Sequence, residues 1–162
     1  AFTPLFIAQG EGHIVNTASM AGLTSMPFSS MYNVSKHSVV TLSETLFADL
    51  AMTGNADVGV SVLCPGWVQT RIHEAGRNRP EGAATAEVDE ERAAMRAGFA
   101  DYIGSLIASG LEPAEVAAMV VDAIRTRRFY ILTHPEWSPM ITGRTERIVN
   151  GEGPRLPEMP RA

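Results

Sequence analysis

Tyr32 and Lys36 lie four residues apart in a stretch, Ser30 to Met52, that contains neither Gly nor Pro. In a helix that spacing puts both side chains on one face, one turn apart. A free phenol, with a pKa near ~10, is a poor base at neutral pH, but an ammonium held beside it favours the phenolate. Tyr32 could then serve as a general acid or base. A hydroxyl at Ser19, thirteen residues earlier, could polarise the same carbonyl oxygen that the phenol protonates. Each residue alone has a plainer reading: a helical Tyr packs, a Tyr and Lys pair is common on exposed helices, and a Ser after a strand caps a turn. The three together, in this order, point to catalysis.

Three strands and two long helices would have to position them. Gly12 to Ser19 is a short β-prone run ending in small polar residues. Val39, Leu42, Leu46 and Leu50 recur at helical spacing and predict one amphipathic helix over 30–52. Val58 to Cys64 alternates and runs into Pro65 and Gly66, a strand and then a turn. Pro113 opens a second helix, with Val116, Ala117, Val120, Val121 and Ile124 on one face and Arg125, Arg127 and Arg128 in its last turn. Phe129 to Thr133 reads as a third strand. Strands alternating with helices of this length predict an α/β fold with βαβ crossovers and a parallel sheet, right-handed. Ligands of such sheets bind beyond the C-terminal strand ends. Chemistry is therefore expected at Ala18 to Gly22 and at Pro65 to Thr70.

Residues 71–110 change character. Rich in Ala, Glu, Arg and Gly, they read as short helices in a mobile excursion, with Glu87 to Arg92 a solvated helix face. After Pro135 the chain is polar and Pro-rich, so 136–162 is expected to drape over the surface or fray. One catalytic domain, 1–135, is the default. A net charge of -5 argues against nucleic acid or an anionic membrane surface as a partner. No apolar run approaches the ~18 residues of a membrane span, and Ala1 to Gln9 does not resemble a signal peptide. A single cysteine, Cys64, fits a reducing, cytoplasmic setting. Neither Cys64 nor His13, His37, His73 and His134 shows metal-ligand spacing, so no metal is expected.

The segments Asn16-Thr-Ala-Ser19 and Tyr32-Asn-Val-Ser-Lys36 resemble the active site of the classical short-chain dehydrogenases/reductases, and Pro65-Gly66-Trp-Val-Gln-Thr70 resembles that family's Pro-Gly-x-Val-x-Thr loop. The likeness runs from about Gly10 through Thr133. It implies a Rossmann-like, doubly wound parallel sheet and hydride transfer between NAD or NADP and a small-molecule carbonyl or secondary alcohol. By the same resemblance, Tyr32 is the proton donor or acceptor, Lys36 also holds the nicotinamide ribose hydroxyls, and Ser19 orients the substrate oxygen. The loop of Pro65 and Gly66 would flank the carboxamide, with the Val68 backbone and Thr70 as contacts. Asn16 would be structural, and Met26, Phe28 and Trp67 would border substrate or belong to the core.

Two family features are missing from this sequence. No Gly-x-x-x-Gly-x-Gly phosphate loop occurs, and the family's catalytic Asn would lie upstream of Ala1. The expectation is therefore the C-terminal part of the sheet, with N-terminal strands missing, which alone neither binds NAD(P) tightly nor reduces a carbonyl. The intact protein is expected to be a homodimer or homotetramer through the outer face of the 30–52 helix, where Val40, Phe47 and Ala51 are apolar residues beyond one stripe. Two other readings keep the same residues: a non-catalytic Rossmann-like binding or regulatory protein, and an epimerase or dehydratase using the same Tyr and Lys.

Overall fold

The computed structural model of the chain describes residues 2–78, 80 and 89–155. They fall into two compact units, the described parts of Ala1–Gly66 with Met119–Ala162, and of Trp67–Ala118.

The first unit is built on three parallel strands, β1 (Gly12–Thr17), β2 (Val58–Cys64) and β3 (Tyr130–Leu132), in that spatial order. β1 pairs with β2 from Gly12 opposite Val58 to Thr17 opposite Leu63, and β2 pairs with β3 from Val62 opposite Tyr130 to Cys64 opposite Leu132. Every residue of β2 is buried, which is why this strand is nearly continuous in apolar residues. The buried exception, Ser61, donates its hydroxyl proton to the Arg128 carbonyl.

Helix α1 (Thr3–Gln9) carries Pro4 in its first turn and sets Phe6 against Leu50, Val58 and Val60. Helix α2 spans Ser30–Met52, the range its composition predicts. Its buried stripe differs from the expected one. Val40, Ser43 and Leu50 are buried, Val39 and Leu46 half-buried, and Leu42 is 61% exposed. The centre of the stripe belongs to a polar residue: Ser43 accepts from the Asn16 amide at 3.0 Å and donates to the Val39 carbonyl at 2.7 Å. A reading by apolar residues alone passes over it and takes Leu42 instead. Val40 packs with Ala18, Met20, Val62 and Cys64, so it belongs to this chain's core and not to an outer face. Phe47 remains half-exposed and meets Phe129 edge-on at 5.3 Å.

Helix α4 (Pro113–Thr126) buries Val116 and Ala123, whereas Ala117, Val121 and Ile124, expected on the apolar face, are exposed. Residues 138–150 form helix α5 (Ser138–Asn150) where an irregular tail was expected. Pro139 lies in its first turn, the one helical position where a missing N–H costs nothing, and Trp137 and Ile141 pack on the Val62 and Cys64 cluster. The second unit holds a 3-10 segment at Ile72–Asn78, kinked at Glu74, and helix α3 (Glu90–Ala108). α3 is one 19-residue helix where short ones were expected. The Glu87 to Arg92 run lies partly outside the described residues. Among the described residues no helix is long and apolar enough to cross a membrane.

Candidate active site

Thr17 ends β1, and the chain turns immediately. Ser19, with extended backbone, caps a 3-10 turn at Met20–Gly22 by accepting the Ala21 N–H at 3.1 Å. The turn is fastened to the end of β2: Ala18 N–H donates to the Leu63 carbonyl at 2.7 Å and Met20 N–H to the Pro65 carbonyl at 2.9 Å. The Ser19 hydroxyl points to that same Pro65 carbonyl, but at 3.4 Å. That bond is long, so the hydroxyl proton can be redirected at little cost.

Tyr32 and Lys36 occupy the first two turns of α2 on one face, as their spacing requires. The Lys36 ammonium stands 5.6 Å from the centre of the Tyr32 ring and donates to the Thr17 carbonyl at 3.3 Å. The strand carrying the approach to Ser19 is thereby tied to the helix carrying Tyr32. Tyr32 is 37% exposed, and no hydrogen bond among the described residues occupies its hydroxyl. Asn33 fixes the preceding loop by donating to the Met26 carbonyl at 2.8 Å, and Phe28 in that loop is exposed with φ 58°.

Gly22 allows this assembly to close. A Cβ there would lie 2.6 Å from the Lys36 carbonyl oxygen and 3.0 Å from Val40 Cγ2, so the Ser19 turn rests directly on α2. Asn16 bridges β1 to Ser43 of α2, the geometry of a scaffold residue.

Gly66 ends the first unit's share of the Pro65 loop. Its N–H donates to the Thr133 hydroxyl at 3.0 Å, and Thr133 in turn contacts His134 Nδ1 at 2.8 Å. Val68 and Thr70 belong to the second unit and are described within it. Val68 pairs with Leu111 as a parallel bridge: Leu111 N–H donates to the Trp67 carbonyl at 3.0 Å and Gln69 N–H to the Leu111 carbonyl at 2.9 Å. This pairing leaves Val68's own N–H and carbonyl unused. Thr70 is exposed and, with Arg71, His73, Asp101 and Ile107, lines a cleft of about 550 Å³.

The structure thus brings Ser19, Tyr32, Lys36, Pro65 and Gly66 into one unit and leaves Val68 and Thr70 in the other. Gly22, though inside the strand-end segment expected to carry chemistry, is not singled out by the sequence, and Thr133 reads there only as the end of the third strand. Gly22 had a weak signal, a lone Gly after a strand-end Ser. Thr133 had none, because its partner lies 67 residues away.

Burial also shapes the titrations around this end of the sheet. It pushes the Cys64 thiol up to about 11, and the nearby Ser19 backbone amide opposes the rise without cancelling it. Tyr130, on the other edge, is pushed up to about 12 by burial and by its hydrogen bond to the Glu44 carboxylate.

The family model described as short chain dehydrogenase matches residues 1–81. The chain is 36% identical over 155 residues to a dehydrogenase/reductase of CLA biosynthesis from Lactiplantibacillus plantarum, covering 93% of this chain and 53% of that protein. It is 30% identical over 128 residues to 2-(R)-hydroxypropyl-CoM dehydrogenase from Xanthobacter autotrophicus, covering 78% and 50%. Among solved structures, a short-chain dehydrogenase/reductase from Burkholderia phymatum in complex with NAD matches with a TM-score of 0.87 and 42% identity, over 98% of this chain and 56% of the other. The chain therefore spans about half the length of the curated relatives it matches. With the family model over residues 1–81 and these relatives along most of its length, the chain belongs to the short-chain dehydrogenase family.

Proposed function

We propose that the intact protein is an NAD(P)-dependent oxidoreductase that interconverts a carbonyl and a secondary alcohol, with Tyr32 as its acid and base. The observation that carries this reading is the Tyr32 and Lys36 pair, held by the Lys36 bond to Thr17 beside a strand-end Ser19. The donor set suits a nicotinamide nucleotide. Of three ammonium protons, Lys36 uses one on Thr17, which leaves donors for ribose hydroxyls. The solved relative from Burkholderia phymatum is in complex with NAD.

When bound, the nicotinamide supplies or accepts the hydride. The chain's own residues handle the proton and the oxygen. In reduction, Tyr32 gives its phenolic proton to the carbonyl oxygen, and Ser19 turns its hydroxyl from Pro65 to donate to the same oxygen. Lys36 places a positive charge over the Tyr32 ring, 5.6 Å from its centre, as the phenol oxygen becomes negative. Oxidation runs these transfers in reverse, with Tyr32 taking the alcohol proton. Pro65, Gly66, the Val68 backbone and Thr70 are assigned to the carboxamide side.

Tyr32→Phe in the intact protein tests this. It should lower turnover by ~10² to 10⁴, the usual worth of acid-base catalysis, while nicotinamide nucleotide still binds. A variant that keeps half the wild-type rate contradicts the assignment. Pairing into a homodimer or homotetramer is assigned to the outer face of α2, where Phe47 and Ala51 are exposed; Val40, expected there too, takes no part, being buried in the core. Sedimentation giving a monomer at micromolar concentration counts against it.

A further inference from the structure

We infer that Thr133 is a positioning residue for the Pro65 and Gly66 turn, so that the C-terminal part of the chain sets the geometry of the loop assigned to the nicotinamide. Thr133 follows β3 and is only 4% exposed. Its hydroxyl oxygen accepts the Gly66 N–H at 3.0 Å and shares a second hydrogen bond, of 2.8 Å, with His134 Nδ1. His134 is braced by the Trp137 ring, centroid to centroid 4.6 Å. Both rings press on the turn: a Cβ at Gly66 would lie 2.6 Å from His134 Nδ1 and 2.8 Å from Trp137 Cζ3. The turn is thus gripped from two sides. On one, the Pro65 carbonyl accepts from Met20 and meets Ser19; on the other, the N–H of the same peptide group, that of Gly66, is held by Thr133. A peptide group held at both its carbonyl and its N–H resists rotation, so the Pro65 carbonyl stays aimed at the Ser19 turn.

The link to cofactor rests on the function proposed above, but the anchor itself does not. Thr133→Val keeps the buried volume and removes the acceptor, whereas Thr133→Ser retains it. In the intact, ligand-free protein, amide hydrogen exchange at Gly66 should be at least ~5-fold faster in Thr133→Val than in wild type, the worth of one neutral hydrogen bond, and unchanged in Thr133→Ser. Nicotinamide nucleotide affinity should fall by a similar ~5- to 10-fold in Thr133→Val and recover in Thr133→Ser, with the melting temperatures of all three compared alongside. Equal Gly66 exchange in wild type and Thr133→Val overturns the inference, as does a Thr133→Ser variant as impaired as Thr133→Val. If wild type binds neither NAD nor NADP, the functional proposal fails, and the exchange measurement still decides the role of Thr133.

Discussion

His13 on β1 and Ser61 on β2 meet through a 2.8 Å hydrogen bond between Nε2 and the hydroxyl. Because Ser61 commits its only proton to the Arg128 carbonyl at 2.6 Å, it accepts from His13 through Nε2. Burial first, and the Arg127 charge second, lower the His13 pKa below 6.5. The folded state therefore resists a proton that the unfolded chain takes up. Stability is complete above about pH 6.5 and is lost as pH falls through the folded-state value. The melting temperature should drop between about pH 7 and pH 5, and His13→Gln should flatten that drop. Wild type that melts higher on acidification across this window contradicts the account.

Lys36 contributes to both binding and rate in the proposed reaction, so its loss should differ in kind from the loss of Tyr32. Lys36→Ala should weaken nicotinamide nucleotide affinity as well as turnover, because donors for the ribose and the tie to Thr17 vanish together. If titration and steady-state kinetics of the intact protein show affinity and rate both unchanged, the ribose-holding role is wrong.

Alkali should act through Tyr130 and Cys64. Their folded pKa values, about 12 and about 11, exceed the ordinary 10.0 and 9.0. Each stabilises the fold fully below its ordinary value, and that contribution disappears as pH rises through the raised one. Phenolate absorbance should show one of the three tyrosines titrating late, and Tyr130→Phe should remove that late phase. A thiol reagent at about pH 8 should leave Cys64 untouched until the protein is unfolded, since under ~1% is thiolate. Rapid labelling of the native protein is the opposing result.

Gly22→Ala forces a methyl group onto the backbone of Lys36, where no side chain can move aside. Overpacking of this kind costs about 1–3 kcal/mol. The urea midpoint should fall accordingly, and turnover of the intact protein should fall further than cofactor affinity, because the Ser19 turn is displaced. A variant with wild-type midpoint and rate would show that the turn does not rest on α2 as described.

Much of this was legible in the sequence because local rules and tertiary packing agree. The α2 boundaries followed from an unbroken run without Gly or Pro, and β2 from its alternation closed by Pro65 and Gly66, although every residue of the strand proves buried. The Tyr32 and Lys36 face follows from helix geometry alone. Where packing depends on partners distant in sequence, the reading slipped. Ser43 looks like a surface residue until Asn16 is brought beside it. Pro139 looks like a breaker, yet it starts α5 because Trp137 and Ile141 have a core to cover. Thr133 and Gly66 carry no mark of their contact, since nothing in composition or periodicity reports a hydrogen bond across 67 residues.

Trp67, Gln69 and Leu111 have a consequence for how the family member could diversify. Their backbone hydrogen bonds, with Gln69 Nε2 also donating to the Gly110 carbonyl at 2.9 Å, close the ends of a long intervening segment like a buckle. The entropic cost of closing a loop grows only by about 0.6 kcal/mol for each doubling of its length. The segment between the ends can therefore be lengthened, shortened or exchanged while the buckle stays fastened. Arg71, His73 and Asp101, which line the cleft of the second unit, all sit inside that interval. Transplanting residues 70–110 from a relative should thus change the cleft's chemistry as a cassette, leaving the sheet and its strand-end turns to be inherited unchanged.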